Sequence, residues 1–380
     1  MKDDDPINLE GSRSCSSPST RSTYLNGSSE WKGSFGPFPA RYGVAVDLTT
    51  VADDLVVFHD AHTVSRFDDL QPATTYQLLG REVTTLARPG GSLLSRFVTV
   101  NDVHFGETVC GKVGDSPDGP IVRAVAGELP YPEVMNRAAV AEIAAGAPDA
   151  VIVKGDITND GHPEEFDAFE TLYRGTFAES LHVVRGNHDA YRGQQRYAGD
   201  QWIELPGVCV ALLDTVIPTE TTGSLHTDQL AWLADHAAAA DRPVVVLGHH
   251  QQWIVGGDKG HRSMGYFGMS PDASDGLAEV VHHQRNIVAY AAGHTHRHRV
   301  RHMSNGVPTI EVGCVKDFPG TWAEYRVYEG GITQVVHRIS APEALEWSER
   351  CRHLYSDFGI DYESYALGTL EDRCCNIPLR

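Results

Sequence analysis

The chain lacks any run of 18 consecutive apolar residues, and its opening stretch, MKDDDPINLEGSRSC, contains no apolar core of the kind that marks a secretory leader. A bilayer-spanning helix needs about 20 such residues, so no membrane partner is expected and a cytoplasmic location is the default. Cysteines are few and scattered. The seven, Cys15, Cys110, Cys209, Cys314, Cys351, Cys374 and Cys375, form no CxxC pair, which argues for reduced or buried thiols over a structural zinc site or a disulfide framework. Positive charge is scarce as well: 31 Lys and Arg face 51 Asp and Glu, a formal net charge of −20. Proteins that grip nucleic-acid polymers need a basic stripe to displace counterions, so none is expected as a partner. An anionic substrate must then meet a local positive centre, for which bound metal ions are the obvious source.

What is present suits a folded enzyme. With 380 residues and 41% hydrophobic residue types, the chain has room for one large domain and a smaller one. Residues 1–35 are rich in Ser, Asp, Gly and Arg, which predicts a disordered or loosely docked tail. From 36 to 94 short alternating segments such as DDLVVFH and TTYQLLG predict a small antiparallel β-domain. Beyond Gly90 and Gly91 the texture turns α/β. The runs RFVTVNDV, DAVIVKGD, LHVVRGN, VCVALLD, RPVVVLGHH and NIVAYAAGH alternate with helical stretches such as PEVMNRAAVAEIAAG, PEEFDAFETLYRGTF and HTDQLAWLADHAAAA. This catalytic-size unit is expected over 95–340, followed by a Cys-containing extension over 341–380 that caps the unit, covers a site or supports a homo-oligomer.

Polar residues stand where the apolar runs stop. The strand-like segments end on Asp102 and His104, on Asp156, on Asn187 and His188, on His249 and His250, and on His294 and His296. In open α/β sheets the carboxyl ends of the strands are where ligands bind, so these groups should converge. Carboxylate, amide and imidazole donors without a thiolate favour Fe, Mn or Zn, or a mixture. Two ions use the set better than one. Asp156 offers two carboxylate oxygens to bridge ions about 3.5 to 4 Å apart, and such a pair is suited to hydrolysing phosphate esters.

The ordered blocks DVH at 102–104, GD at 155–156, GNHD at 186–189, GHH at 248–250 and GHTH at 293–296 resemble the pattern of the calcineurin-like metallophosphoesterase superfamily. The resemblance covers about residues 95–340. It implies an αββα sandwich of two mixed sheets, here preceded by the small antiparallel β-domain, with a dinuclear metal site. One ion would take Asp102, His104, Asp156 and His296, and the other Asp156, Asn187, His249 and His294. His249 is preferred to His250 because the family's ligand follows the apolar strand directly. His188 would stay unliganded beside the substrate, as general acid or as a partner of the phosphoryl oxygens, while a metal-bound hydroxide attacks phosphorus.

Three positions after Asp156 stands Asn159, where purple acid phosphatases have a tyrosine and protein Ser/Thr phosphatases an Asp that orients the catalytic histidine. GDITNDGHPEEFDAF, LLDTVIPTETTGSLHTDQLAWL and GHTH look instead like the class III cyclic-nucleotide phosphodiesterases and glycerophosphodiesterases. The β-domain, with LQPATTYQL, resembles the fibronectin-like module ahead of some purple-phosphatase-type enzymes. The function implied is hydrolysis of a small phosphodiester. A phosphomonoesterase with the same site, and an inactive scaffold keeping the fold, are the alternatives. Around the motifs, Asp189 is expected to be structural, and Asn101 and Arg185 to be either scaffold or support for the site. His298 and His302, interleaved with arginines, read as a solvated basic edge. Trp253, Tyr266, Phe267 and Phe318 line a substrate pocket or belong to the core.

Overall fold

The computed structural model describes residues 7–8, 46–124, 127, 129–253 and 267–380. Two six-stranded mixed sheets face each other. The first runs, from edge to edge, Leu181–Val184, Ala150–Lys154, Leu93–Val100, Thr321–Tyr328, Gly331–Arg338 and Cys375–Pro378. The second runs Gln201–Leu205, Val208–Leu212, Val244–Leu247, Ile287–Ala292, Pro308–Glu311 and Arg299–His302. Strands AVIVK, VVVL and IVAYAA are buried along their whole length, as expected of parallel strands covered on both faces.

The layers follow from which faces are apolar. Phe97, Ile152, Val210, Leu247, Ala291, Tyr325 and Val336 interdigitate between the sheets, and Phe97 stacks on Tyr325 with ring centroids 4.7 Å apart. Outside the first sheet lie helices Tyr131–Gly146, Pro163–Phe169 and Pro342–Arg350. Outside the second lie Thr227–Ala239 and Pro271–His283. The result is an αββα arrangement. Helix Pro271–His283, capped by the Ser270 side chain, falls where sequence reading expects only a long connection. Its polar first turn and Gly276 hide the helical period, yet a Cβ at Gly276 would stand 2.6 Å from Leu230 Cδ1, so the glycine lets two helices approach.

Ahead of the sandwich, strands Asp47–Val51, Val56–His59 and Val64–Phe67 form one small antiparallel sheet, and Thr75–Leu78 with Arg81–Thr84 another. Ile7–Asn8 pairs in parallel with Thr75–Leu78. The rest of the expected 1–35 tail lies outside the described residues. The small β-layer has its own core of Val51, Val56, Phe58, Leu70, Tyr76, Leu78 and Val83 and is bonded to the first large sheet. Thr50 Oγ1 donates to Val336 O at 2.7 Å, and Arg326 Nη1 meets Asp53 Oδ1 at 2.7 Å and Asp54 Oδ1 at 2.8 Å. Residues 341–380 add a helix to the outer layer and their last strand, Cys375–Pro378, to the sheet edge beside Gly331–Arg338. Among the described residues no helix is long and apolar enough to cross a membrane.

Candidate metal centre

Parallel strands bring the polar residues to one edge. Leu93–Val100, Ala150–Lys154 and Leu181–Val184 run parallel in the first sheet, and Val208–Leu212, Val244–Leu247 and Ile287–Ala292 do so in the second. The loops leaving five of these strands carry Asp102 and His104, Asp156, Asn187 and His188, His249, and His294 and His296. Five of these residues hold a left-handed backbone: Asp102 at φ 53°, His104 at 46°, Asp156 at 49°, His294 at 69° and His296 at 54°. Such conformations cost on the order of 1–3 kcal/mol each and persist only where surroundings enforce them. Here Asp102 N donates to Gly155 O at 3.1 Å, His104 N to Asp156 O at 3.0 Å, and His294 N to both carboxylate oxygens of Asp102 at 3.1 and 3.0 Å.

Two glycines of the motifs are required by close approach. A Cβ at Gly155 would stand 2.6 Å from His249 Nδ1, and one at Gly186 would stand 2.2 Å from Asp156 Oδ1. Asp189, buried behind them, accepts from Gly186 N at 2.7 Å, Thr158 N at 2.8 Å, Thr158 Oγ1 at 2.7 Å and Ile157 N at 3.1 Å. It therefore clamps the GD and GNHD loops together. Burial, with the Asp156 charge nearby, pushes its carboxyl pKa up to about 6.

Each of the four expected ligand imidazoles has one nitrogen against a protein oxygen and the other against the cluster. His249 places Nδ1 2.8 Å from Lys154 O, with Nε2 3.3 Å from Asp156 Oδ1 and 3.0 Å from Asn187 Oδ1. His294 places Nε2 2.8 Å from Phe267 O and Nδ1 3.2 Å from His249 Nε2. His296 places Nδ1 3.3 Å from Asp317 Oδ2 and Nε2 3.5 Å from Asp102 Oδ1. His104 places Nδ1 3.5 Å from Glu107 Oε2 and Nε2 3.5 Å from Asp156 Oδ2. An acceptor behind one ring nitrogen fixes the tautomer and raises the basicity of the other, which is how metal-binding histidines are prepared. Both His104 nitrogens are buried without a hydrogen bond, a costly state that a cation at Nε2 would relieve.

Donor atoms group accordingly. Those of Asp102, His104 and His296 lie within 4.8 Å of one another, and so do those of Asp102, Asp156 and His249, and of His104, Asp156 and His188. Asp156 thus stands between the two histidine pairs. Burial opposes charge on His249, but the adjacent Asp156 carboxylate lifts its pKa to about 9; burial and then His188 and Lys316 hold His104 well below its ordinary value. His250 also lies near His249 and His294, yet its Nδ1 is 2.8 Å from Thr215 Oγ1 and its Nε2 3.2 Å from Thr221 O. Both of its ring nitrogens are already engaged.

The model of the calcineurin-like phosphoesterase family matches residues 95–298, more than half of the chain. The chain belongs to that family. Calcineurin-like phosphoesterases carry dimetal centres, and the grouping of Asp and His donors here is of that kind. Among curated proteins the chain is similar to a probable cyclic nucleotide phosphodiesterase of Synechococcus sp., with 25% identity over 44% of this chain and 64% of that one. It is also similar to a glycerophosphodiester phosphodiesterase of Enterobacter lignolyticus, with 27% identity over 39% of this chain and 56% of that one. The chain thus spans less than two thirds of the length of either relative. Among solved structures, a purple acid phosphatase from yellow lupin seeds gives a TM-score of 0.47 at 13% identity, over 73% of this chain and 60% of that one.

Several residues of this calcineurin-like phosphoesterase's site carry no motif of their own. His188 Nδ1 sits 2.6 Å from the main-chain oxygen of Asn159, so a carbonyl holds the ring at the position where protein Ser/Thr phosphatases use an Asp side chain. Tyr191 accepts from Asn187 Nδ2 at 2.6 Å and packs against the His188 ring at 4.8 Å. Glu107, Lys316 and Asp317 lie behind His104 and His296; the clue was a charged pair, Lys316 and Asp317, inside the apolar context VKDF. Asn101 supports the site through Asp102 and through Val312 O and Gly313 O at 3.0 and 3.1 Å, whereas Arg185 pairs with Asp214 at 2.9 Å.

His298 corrects the expectation of a solvated edge. It is 1% exposed, accepts from Gly313 N and contacts Thr321 Oγ1 at 3.1 Å, because Arg297 and Arg301 turn to the buried Glu311. His302 is exposed. Of the aromatic residues, Phe267 packs on His294 at 5.1 Å, Phe318 is buried against the Arg338 and Arg352 guanidiniums, Trp253 is half-buried with its amide held by Ser274 Oγ, and Tyr266 lies outside the described residues.

Proposed function

We propose that the protein is a metal-dependent phosphodiesterase that hydrolyses small soluble phosphodiesters, of the cyclic-nucleotide or glycerophosphodiester kind. One observation carries the reading: Asp156 turns Oδ2 toward His104 and Oδ1 toward His249, at 3.5 and 3.3 Å, the placement of a carboxylate shared by two ions. In this reading Asp102, His104, Asp156 and His296 would hold one ion, and Asp156, Asn187, His249 and His294 would hold the other. All-oxygen-and-nitrogen donors suit Fe, Mn or Zn. When bound, such a pair neutralises phosphoryl oxygens and makes water acidic enough to ionise near neutral pH.

The chain's own residues supply the rest. With Nδ1 donating to the Asn159 carbonyl, His188 keeps Nε2 for the substrate, and in its protonated form this nitrogen gives its proton to the departing alkoxide. His188 N donates to Asp156 Oδ1 at 3.0 Å, which ties the acid's position to the shared carboxylate. The preference for diesters rests on the names of the cyanobacterial and enterobacterial relatives. The site belongs to a catalytic unit over 95–340, with 36–94 as an accessory β-module, in a cytoplasmic protein.

The test is chelation of the full chain, reloading with Mn, Fe or Zn singly, and comparison of turnover on bis(p-nitrophenyl) phosphate, p-nitrophenyl phosphate, cyclic AMP and glycerophosphocholine. Metal-dependent turnover favouring diesters is expected. A strong preference for the monoester overturns the diester reading, and metal-independent turnover overturns the whole.

A further inference from the structure

Behind the histidines of one subsite lies a buried charged group that no motif describes. Lys316 Nζ stands 3.0 Å from Glu107 Oε1, 2.9 Å from Glu107 Oε2 and 3.2 Å from Asp317 Oδ2. Glu107 Oε2 faces His104 Nδ1 at 3.5 Å, and Asp317 Oδ2 faces His296 Nδ1 at 3.3 Å. One ammonium therefore touches both carboxylates, and each carboxylate touches one imidazole. Lys316, Glu107 and Asp317 are 4%, 8% and 0% exposed. We propose that Lys316 is a positioning residue that fixes the His104 and His296 rings for one metal ion by holding the two carboxylates behind them.

The inference rests on the two-ion reading above and adds an asymmetry to it. His249 and His294 lean on main-chain carbonyls, Lys154 O and Phe267 O, each at 2.8 Å; these are fixed by the fold and need no side chain. His104 and His296 lean on side-chain carboxylates, which rotate about their own bonds and keep one place only when a partner such as the Lys316 ammonium holds them. Asp317 has further donors in Tyr362 OH at 2.9 Å and Cys314 Sγ at 3.0 Å. Glu107 depends more heavily on Lys316. Four carboxylates, Asp102, Asp156, Glu107 and Asp317, crowd this side of the site, all of them buried. Lys316 is the cation that Glu107 and Asp317 share. Removing it leaves the Glu107 side chain free to swing away, and the His104 ring then loses the carboxylate that stands behind its Nδ1. The loss falls on one ion.

The experiment counts ions rather than turnover. Chelator-stripped full-length protein is titrated with Mn(II) by calorimetry, beside Lys316→Met and Asp317→Asn, with melting of the stripped proteins measured in parallel. Wild type is expected to bind two ions; Lys316→Met should bind one with unchanged affinity and the other about 10- to 100-fold more weakly, the usual effect of losing a residue behind a metal ligand. Asp317→Asn should weaken the same single event by a smaller factor. If Lys316→Met does not fold, Asp317→Asn and Glu107→Gln carry the test under the same criterion. Two unchanged affinities, or two affinities weakened equally, overturn the inference while leaving the two-ion reading intact. A wild type that binds no Mn(II) instead removes the two-ion reading, and the inference with it.

Discussion

Replacing Gly186 by alanine isolates what the placement of the Asp156 carboxylate contributes. Gly186 has φ −105° and ψ −176°, a conformation alanine adopts freely, so the substitution carries no backbone penalty. Its Cβ, however, would stand 2.2 Å from Asp156 Oδ1 and 2.3 Å from Asp156 N, whereas ordinary contact begins at 3.4 Å. Asp156 must therefore retreat by about 1 Å, and the retreat involves main chain already held at φ 49°. Misplacement by about 1 Å at a reacting centre costs on the order of 100-fold in rate, about 2.7 kcal/mol of barrier, and overpacking adds roughly 1–3 kcal/mol of destabilisation. The assay combines kcat/KM on bis(p-nitrophenyl) phosphate, metal content by mass spectrometry and thermal melting. Gly146→Ala is the control, because a Cβ there meets nothing within 4 Å; it should leave turnover unchanged and stabilise by up to about 1 kcal/mol. Retention of two ions together with turnover within threefold of wild type in Gly186→Ala would refute the reasoning.

Three further outcomes are expected. His188→Ala should slow hydrolysis of substrates with strongly basic leaving groups by about 10²- to 10⁴-fold but hydrolysis of p-nitrophenyl esters much less; equal losses on both would remove its role as acid. Asn136 is fully buried, donates to Val103 O at 2.9 Å between Asp102 and His104, and accepts from Tyr173 OH at 2.7 Å. Asn136→Ala leaves both partners unsatisfied at about 1–3 kcal/mol each, so urea denaturation should show a loss of roughly 2–6 kcal/mol, and a loss under about 1 kcal/mol would contradict this account. Burial, then the Arg338 charge, lowers the pKa of His59 from 6.5 to about 3. The unfolded chain gains that proton near pH 6.5 while the folded one does not, so His59 makes stability fall as pH drops from 6.5 toward 3, by about 1.4 kcal/mol per unit. Between pH 6.5 and 5 wild type should lose about 2 kcal/mol more than His59→Gln by denaturant titration; parallel losses would show that His59 is not buried neutral.

The convergence of the polar strand ends was legible because a buried strand ending on a polar residue is unusual locally: VVVL followed by glycine and His249, or IVAYAA followed by glycine and His294, needs no distant information. The residues behind them were not legible, since Glu107 and Lys316 are 209 positions apart in sequence and only the folded sheets reveal them as neighbours. The partner of His188 was hidden for another reason. It is a main-chain oxygen, and every residue type carries one. His298 was misjudged because its neighbouring arginines suggest solvent, whereas Arg297 and Arg301 are satisfied by Glu311 inside the protein. The Pro271–His283 helix was missed where polar residues and Gly276 interrupt the apolar period, a break that packing against Leu230 turns to use.

The pairing of His294 N with Asp102, residues 192 positions apart, sets an order on synthesis. The loop that carries Asp102 is made early and finds main-chain partners in Gly155 and Asp156, yet its carboxylate lacks the His294 N–H, and the donor group of Asp102, His104 and His296 is incomplete, until the segment through His296 has left the ribosome. Contacts so distant along the chain form slowly. A nascent chain therefore passes through an interval in which the early donors wait for the late ones, and the assembled donor cluster is a late event in the life of the molecule.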